Sequence, residues 1–249
     1  MLHGLFGEGE NLRGLARGLE SRYRCVLVDL PNHGDSPHID FTDYPGMADT
    51  VAATIKDLRP AAAPCFVLGH SMGGKVAMQL ALRHPDLVRA LVVLDIAPRR
   101  YEPSHTEILD ALDALALDTI SSRSDADRAL SDAIPSAAVR SFLLKNLVRG
   151  EAGMRWKLNV HGLKENYAAI LSWDAEGSYR GPALFIGGTR SDYLRPDRDR
   201  SLITDHFPDA EIAMIEGAGH WIHADRQDDV IERVRAFLAA HDAGASDAS

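Results

Sequence analysis

The chain has 249 residues, enough for one large domain, or a domain with an insertion, around a sizeable buried core. A hydrophobic fraction of 45% and a charged fraction of 25% are ordinary for globular proteins and argue against a disordered chain, a collagen-like repeat or a disulfide scaffold. The net charge of −9 disfavours nucleic acid and acidic lipid surfaces as partners.

Short apolar runs alternate with longer amphipathic segments along most of the chain. The runs are rich in Val, Ile and Leu, as in strands of a parallel sheet that is covered on both faces. The predicted strands are residues 24–29, 65–69, 90–95, 183–187 and 211–215. Helical spacing of apolar residues predicts helices over 11–20, 48–58, 72–83 and 225–240. This alternation predicts an α/β fold with a mostly parallel sheet flanked by helices.

Residues 99–180 interrupt this rhythm with several helical patterns and no convincing strand. We interpret them as a helical cap inserted into a core made of residues 1–98 and 181–242. The polar and small residues 243–249 have nothing to bury and are expected to form a disordered tail.

The sequence gives little sign of disulfide bonds, of export or of a membrane-spanning segment. Cys25 and Cys65 lie in apolar runs and are expected to be reduced core thiols. The sequence has neither a signal peptide nor a run of about 18 apolar residues. We therefore expect a cytoplasmic monomer or homodimer, without membrane insertion. Neither metal-ligand spacing nor a dinucleotide fingerprint is present, so no metal or cofactor is expected.

The strongest motif is Gly69-His70-Ser71-Met72-Gly73, a G-x-S-x-G between a predicted strand and a predicted helix. This context presents the serine hydroxyl at the carboxyl edge of a sheet as a nucleophile. It also places the Met72 N–H beside the reacting carbonyl. A second oxyanion donor is expected just after His3-Gly4, most simply the Leu5 N–H. The loop from Asp29 to Ser36 is interpreted as support for that turn.

A serine nucleophile needs a base, and His220 is the best placed histidine because it follows the last predicted strand in a glycine-flanked loop. His70 and His223 are interpreted as packing or hydrogen-bonding neighbours. Two carboxylates could orient the base, Asp95 or Asp192, since both follow core strands and keep the order Ser, Asp, His. The residues alone leave this choice open. Four residues are further expected to bind substrate: Phe6, His70, Tyr193 and Trp221.

Five motifs together resemble the α/β-hydrolase superfamily, most closely its small esterases of the acyl-CoA esterase and abhydrolase-domain protein 11 branch. They are His-Gly-Leu-Phe-Gly, Asp-Leu-Pro-Asn-His-Gly-Asp-Ser, Gly-His-Ser-Met-Gly-Gly-Lys, Leu-Asp-Ile-Ala-Pro and Ala-Gly-His-Trp-Ile-His-Ala. The resemblance implies an acyl pocket under the cap, a cap after the sixth family strand, and no cofactor. It also implies that the first family strands are missing here, so a longer start is expected to add stability. Some relatives lack an acid at the position of Asp192, which favours Asp95.

We therefore expect a serine hydrolase that cleaves carboxylic esters or thioesters of short to medium acyl chains through an acyl-enzyme, with a small ester or thioester as its partner. The alternatives are a perhydrolase or carbon–carbon bond hydrolase on the same triad, or a ligand receptor that has a hydrolase pocket without turnover. Dehalogenases and epoxide hydrolases are disfavoured because they carry aspartate where Ser71 stands.

Overall fold

The fold was obtained as a computed structural model, which describes residues 1–40, 43–58, 63–151 and 153–242. The predicted tail 243–249 lies outside the described residues. The strands are β1 (Cys65–His70), β2 (Val88–Leu94), β3 (Leu147–Gly150), β4 (Gly153–Trp156), β5 (Ala183–Gly188) and β6 (Glu211–Ile215). The helices are α1 (Arg13–Leu19), α2 (Tyr44–Leu58), α3 (Met72–Arg83), α4 (Thr106–Asp113), α5 (Arg123–Leu130), α6 (Ala137–Leu143), α7 (Val160–Glu165), α8 (Tyr167–Leu171), α9 (Pro196–His206), α10 (Ile222–Asp225) and α11 (Gln227–Ala240).

A parallel sheet in the order β1-β2-β5-β6 forms the centre of the described chain. Successive side chains of its strands face opposite sides and enter two separate apolar clusters. On β2, Leu91 and Val93 join the cluster on the side of α2 and α3, whereas Val92 and Leu94 join the cluster on the side of α1 and α11. Helices thus cover both faces of the sheet, which explains the continuous apolar runs of its strands.

Four of the five predicted core strands match β1, β2, β5 and β6 closely, and the helix predicted over 72–83 is α3. The strand predicted over 24–29 is wrong as a regular strand, because only Val28 forms a bridge there. Leu2 lies between Val28 and Gly69 and bridges both in parallel.

The segment between β2 and β5 is mainly helical, and it joins two strands that are neighbours in the sheet. The prediction that it holds no strand is wrong, because β3 and β4 pair as an antiparallel hairpin. Leu147 and Trp156 face each other at the ends of that hairpin. Alternating exposure along β4 has the period of a half-exposed strand, and so short an element gives a weak sequence signal.

Candidate active site

Ser71 occupies a sharp turn between β1 and α3. Its backbone has φ 52° and ψ −119°, a conformation that non-glycine residues rarely adopt. The turn is so tight that a side chain on Gly69 would overlap the Gly73 carbonyl. A side chain on Gly73 would overlap the carbonyls of Leu2 and His3. Only glycine fits at these two positions, so the motif holds the serine hydroxyl out at the carboxyl edge of the sheet.

His220 reaches Ser71 from the loop that follows β6. Its Nε2 atom lies 3.0 Å from the Ser71 Oγ, and its side chain is 24% exposed. The loop approaches the sheet closely because Gly188 has no side chain, and a Cβ there would overlap the carbonyls of Ala218 and Gly219. The imidazole can therefore accept the serine proton and still meet solvent or substrate.

Asp95 lies directly after β2 and is completely buried. Its Oδ2 accepts a hydrogen bond from the His220 Nδ1 at 2.7 Å and a very short one from the Ser191 hydroxyl. Its Oδ1 accepts from the Gly188 N–H at 3.0 Å. Asp95 also has a positive φ of 51°. A buried carboxylate that accepts three hydrogen bonds is fixed in direction, which suits it to orienting an imidazole.

Asp192, the other predicted acid, is placed differently. Its carboxylate is 89% exposed and pairs with Arg195 at 2.8 Å. The residues on either side of it point towards the site instead. The Ser191 hydroxyl binds Asp95, and the Tyr193 ring stacks on His220. The structure therefore brings Ser71, His220 and Asp95 together and leaves the Asp192 carboxylate at the surface.

The two predicted oxyanion donors, Leu5 and Met72, line the same cavity as Ser71. The turn that carries Leu5 is held by its neighbours. The Phe6 N–H donates to the His33 Nε2 at 3.3 Å, and the Gly7 N–H donates to the Gly4 carbonyl at 2.9 Å. Phe6 has a positive φ of 61°. Leu5 is the residue of this turn that lines the cavity at Ser71.

Buried histidines support this turn. His3 accepts from the Leu30 N–H and donates to the Gly4 carbonyl, while His33 donates to the Pro31 carbonyl. Burial lowers the pKa of His33 to about 3, and that of His3 in the same direction, so both rings stay neutral. The Asp29 carboxylate accepts from the N–H groups of Gly9 and Asp35. These contacts agree with a supporting role for the loop from Asp29 to Ser36.

A cavity of about 320 Å³ opens at Ser71. Residues from the core and from the segment between β2 and β5 line it together. They include Leu5, Tyr44, Lys75, Ile96, Tyr101, His105, Tyr167, Ile170, Leu171 and Tyr193. A volume at the lower end of the usual range for small-molecule sites suits a small or medium-sized ligand.

Of the four residues predicted to bind substrate, only Tyr193 lines this cavity. Phe6 is buried with its ring edge towards His105, and its carbonyl accepts from Asn146. His70 donates through Nε2 to the His220 carbonyl at 2.9 Å, and Trp221 packs on Phe142 near the surface. These three side chains contact other protein groups instead of the cavity.

Sequence reasoning missed two polar residues near the site. Ser191 gave no signal because its hydroxyl meets Asp95 only through the fold. Lys75 follows Ser71 by one helical turn and is 1% exposed. Its Nζ donates to the carbonyls of Leu171 and Ser172 at 3.2 and 2.6 Å. The apolar residues that surround Lys75 in the sequence of α3 indicated that this helix is buried on all sides.

No group of three or more potential metal ligands occurs in the described ranges, and none of the helices described is long and apolar enough to cross a membrane.

Known proteins are similar to this chain in both sequence and structure. A mouse protein named sn-1-specific diacylglycerol lipase ABHD11 is 38% identical over 247 residues, covering 96% of this chain and 80% of its own length. The Escherichia coli protein named Esterase YbfF is 37% identical over 239 residues, covering 96% of this chain and 91% of its own. A solved structure titled "Marine microorganism esterase" aligns with a TM-score of 0.91 and 39% identity, covering 95% of this chain and 93% of the other.

The family profile described as "alpha/beta hydrolase fold" matches residues 1–134. That range includes Ser71, Asp95 and the turn after His3. Together with the relatives above, it confirms the predicted superfamily and its esterase branch. The chain belongs to the α/β-hydrolase fold family, in the branch that holds these named esterases and lipases.

Proposed function

We propose that this protein is a serine hydrolase that cleaves carboxylic esters or thioesters through an acyl-enzyme. The observation that carries the proposal is the unbroken chain of contacts from the Ser71 hydroxyl through both ring nitrogens of His220 to the buried Asp95 carboxylate. Hydrolases with a serine nucleophile use this arrangement of nucleophile, base and orienting acid on several unrelated folds.

The proposed reaction has two halves. The Ser71 Oγ attacks the acyl carbonyl while the His220 Nε2 takes the hydroxyl proton. The tetrahedral intermediate collapses, the bond to the leaving oxygen or sulfur breaks, and His220 returns the proton to that atom. Water then attacks the acyl-Ser71 ester with His220 again as base, and the acid product leaves. The Asp95 side chain orients His220 and stabilises the imidazolium in both halves.

The oxyanion of each tetrahedral intermediate is assigned to the N–H groups of Leu5 and Met72. Both residues line the cavity beside Ser71, and Met72 begins α3, where backbone N–H groups lack partners within the helix. Asn146 supports the first donor from across the site, since its Nδ2 donates to the Phe6 carbonyl at 2.8 Å.

The acyl group is assigned to the cavity of about 320 Å³, with residues 99–180 as the cap. Ile170, Leu171 and Tyr167 from that segment make one wall apolar, which favours an alkyl chain. Its volume favours short to medium chains. The names of the relatives, an esterase and a diacylglycerol lipase, support an ester substrate. Perhydrolysis and carbon–carbon bond hydrolysis use the same triad and are the alternative reactions.

Steady-state hydrolysis of p-nitrophenyl esters tests the proposal. We expect many turnovers per molecule, loss of at least about 10⁴-fold in rate for Ser71→Ala, and labelling of a single serine by a fluorophosphonate probe. Ser201→Ala, an exposed serine on α9, serves as the control for labelling. Release of at most one equivalent of nitrophenol would indicate a receptor instead. Labelling that persists in Ser71→Ala would refute the nucleophile.

A further inference from the structure

A second aromatic ring lies directly on His220. The centroids of the Tyr193 and His220 rings are 3.8 Å apart, and their planes differ by 20°. Tyr193 lies in the loop after β5, is half-buried and lines the cavity. The reaction proposed above gives this residue no task.

The face-to-face geometry distinguishes between the two charge states of the imidazole. Two stacked neutral rings gain little from electrostatics, because both of their faces are negative. A cation over the face of a tyrosine is attracted by that same negative face. A tyrosine held flat on the base therefore favours the imidazolium, the form that exists while the tetrahedral intermediate forms and collapses.

We propose that Tyr193 is a positioning residue that stabilises protonated His220 through its π face. The inference rests on the proposed function of His220 as the general base. Asp95 binds one edge of the imidazole at Nδ1, whereas Tyr193 covers its face, so the two contacts restrain different motions of the ring.

Tyr193 is itself fixed in place. Tyr101 stacks against it with centroids 5.4 Å apart, and the Tyr101 hydroxyl donates to the Tyr193 carbonyl at 2.6 Å. The Ala97 N–H in turn donates to that hydroxyl at 2.8 Å. Arg99 lies 3.8 Å from the Tyr101 ring centroid. These contacts hold the Tyr193 ring in its orientation without substrate.

The other titratable groups around His220 add little charge. Burial lowers the pKa of His70 well below its usual value and that of His223 to about 4. Burial also lowers the pKa of His105, whose ring nitrogen contacts the Tyr167 hydroxyl. The cations Arg99 and Lys75 lie against Tyr101 rather than against His220. Asp95 and the face of Tyr193 are therefore the groups that favour the imidazolium.

A series of fluorinated phenylalanines at position 193 tests this proposal, because fluorination weakens the negative ring face while keeping the shape. We expect Tyr193→Phe to stay within about threefold of wild type. Replacement by pentafluorophenylalanine should lower kcat by about 2- to 30-fold, the range given by a cation–π contact. KM should change little, and the acid limb of the kcat/KM profile should move to lower pH. Pentafluorophenylalanine at Phe66, which packs on Tyr23 away from the site, is the control.

An unchanged kcat and acid limb across the series would overturn the proposal. A change in KM alone would also overturn it and make Tyr193 a substrate contact. Fluorophosphonate labelling of Ser71 reports separately on the proposed function. Should labelling fail, an NMR titration of the His220 ring in the fluorinated proteins decides the inference by itself. The imidazolium should then lose its proton at lower pH as fluorines are added, and an invariant titration would refute the stack.

Discussion

Lys75 carries a cationic side chain into the interior one helical turn after Ser71. Its Nζ lies 5.1 Å from the Tyr44 ring centroid and 4.8 Å from that of Tyr101, in addition to its two carbonyl partners. Burial and the nearby Arg99 lower its pKa from 10.5 to about 7. Removing a charge from water is costly, and these contacts offset only part of that cost. Lys75 therefore connects α3 to the end of α8. Because its pKa is lowered by burial, its contribution to the stability of the folded protein depends on pH.

Replacing Lys75 tests this account through the pH dependence of stability. Between pH 7 and the ordinary lysine value of 10.5, the unfolded chain binds more protons at this position than the folded chain. The contribution of Lys75 to the free energy of unfolding therefore rises with pH in this window. Between pH 7 and 9, we expect the melting temperature to rise less for Lys75→Met than for the wild type. The exposed Lys56→Met is the control, and equal slopes for wild type and Lys75→Met would contradict the account.

The turn between β1 and α3 is the element on which the site depends. Three backbone segments converge there: the Ser71 N–H donates to the Leu94 carbonyl, and the His70 N–H donates to the Leu2 carbonyl. The end of β2 and the segment at Leu2 thus fix the elbow from both sides. The positive φ of Ser71 is maintained by this surrounding structure rather than by the preference of serine.

A methyl group inside the elbow should disturb it. We expect Gly69→Ala to lower the free energy of unfolding by about 1–3 kcal/mol, because its Cβ would overlap the Gly73 carbonyl. Gly46→Ala in α2 is the matched control, since among the described residues its Cβ meets only the end of the Asp43 side chain, at 3.0 Å. Chemical denaturation measures both variants. A Gly69→Ala protein as stable as Gly46→Ala would refute the packing argument.

How far the sequence predicts these elements depends on the length of each signal. The helix Met72–Arg83 was predicted because twelve residues show a buried pattern with a strong turn before it and Pro85 after it. The hairpin Leu147–Trp156 was missed because each of its strands has four residues. Chain order allowed either Asp95 or Asp192 beside His220. Only the fold separates a buried carboxylate from an exposed one, and only the fold brings Ser191 to Asp95.

Polar contacts join the segment 99–180 to α2 and to loops of the core. The Tyr44 hydroxyl donates to the Ile170 carbonyl at 2.5 Å, and Lys157 pairs with Glu8 at 2.8 Å. Asn159 donates to the Asn32 side chain at 3.0 Å. These contacts hold residues 157–170 of the segment against the core, and Ile170 lines the cavity. We therefore expect the far wall of the cavity to be fixed and to limit the length of the acyl chain.

Acyl-chain preference measures the depth of the cavity. We expect p-nitrophenyl esters of short to medium chains to be the best substrates and emulsified triolein to be poor. Ile170→Ala should move the optimum towards longer chains, because it removes buried volume from the cavity wall. Leu202→Ala on the surface of α9 is the control and should leave the preference unchanged. Efficient triolein hydrolysis by the wild type would contradict a cavity of fixed depth.

The central claim is that Ser71, His220 and the buried Asp95 form one catalytic unit. The most direct test compares kcat for Asp95→Asn and Asp192→Asn on one p-nitrophenyl ester, with folding of both checked by thermal melting. We predict a loss of about 10⁴-fold for Asp95→Asn, because the asparagine cannot hold His220 in its active tautomer. We predict a rate near wild type for Asp192→Asn, whose carboxylate is exposed and bound to Arg195. A full-rate Asp95→Asn enzyme beside an inactive Asp192→Asn enzyme would contradict the account.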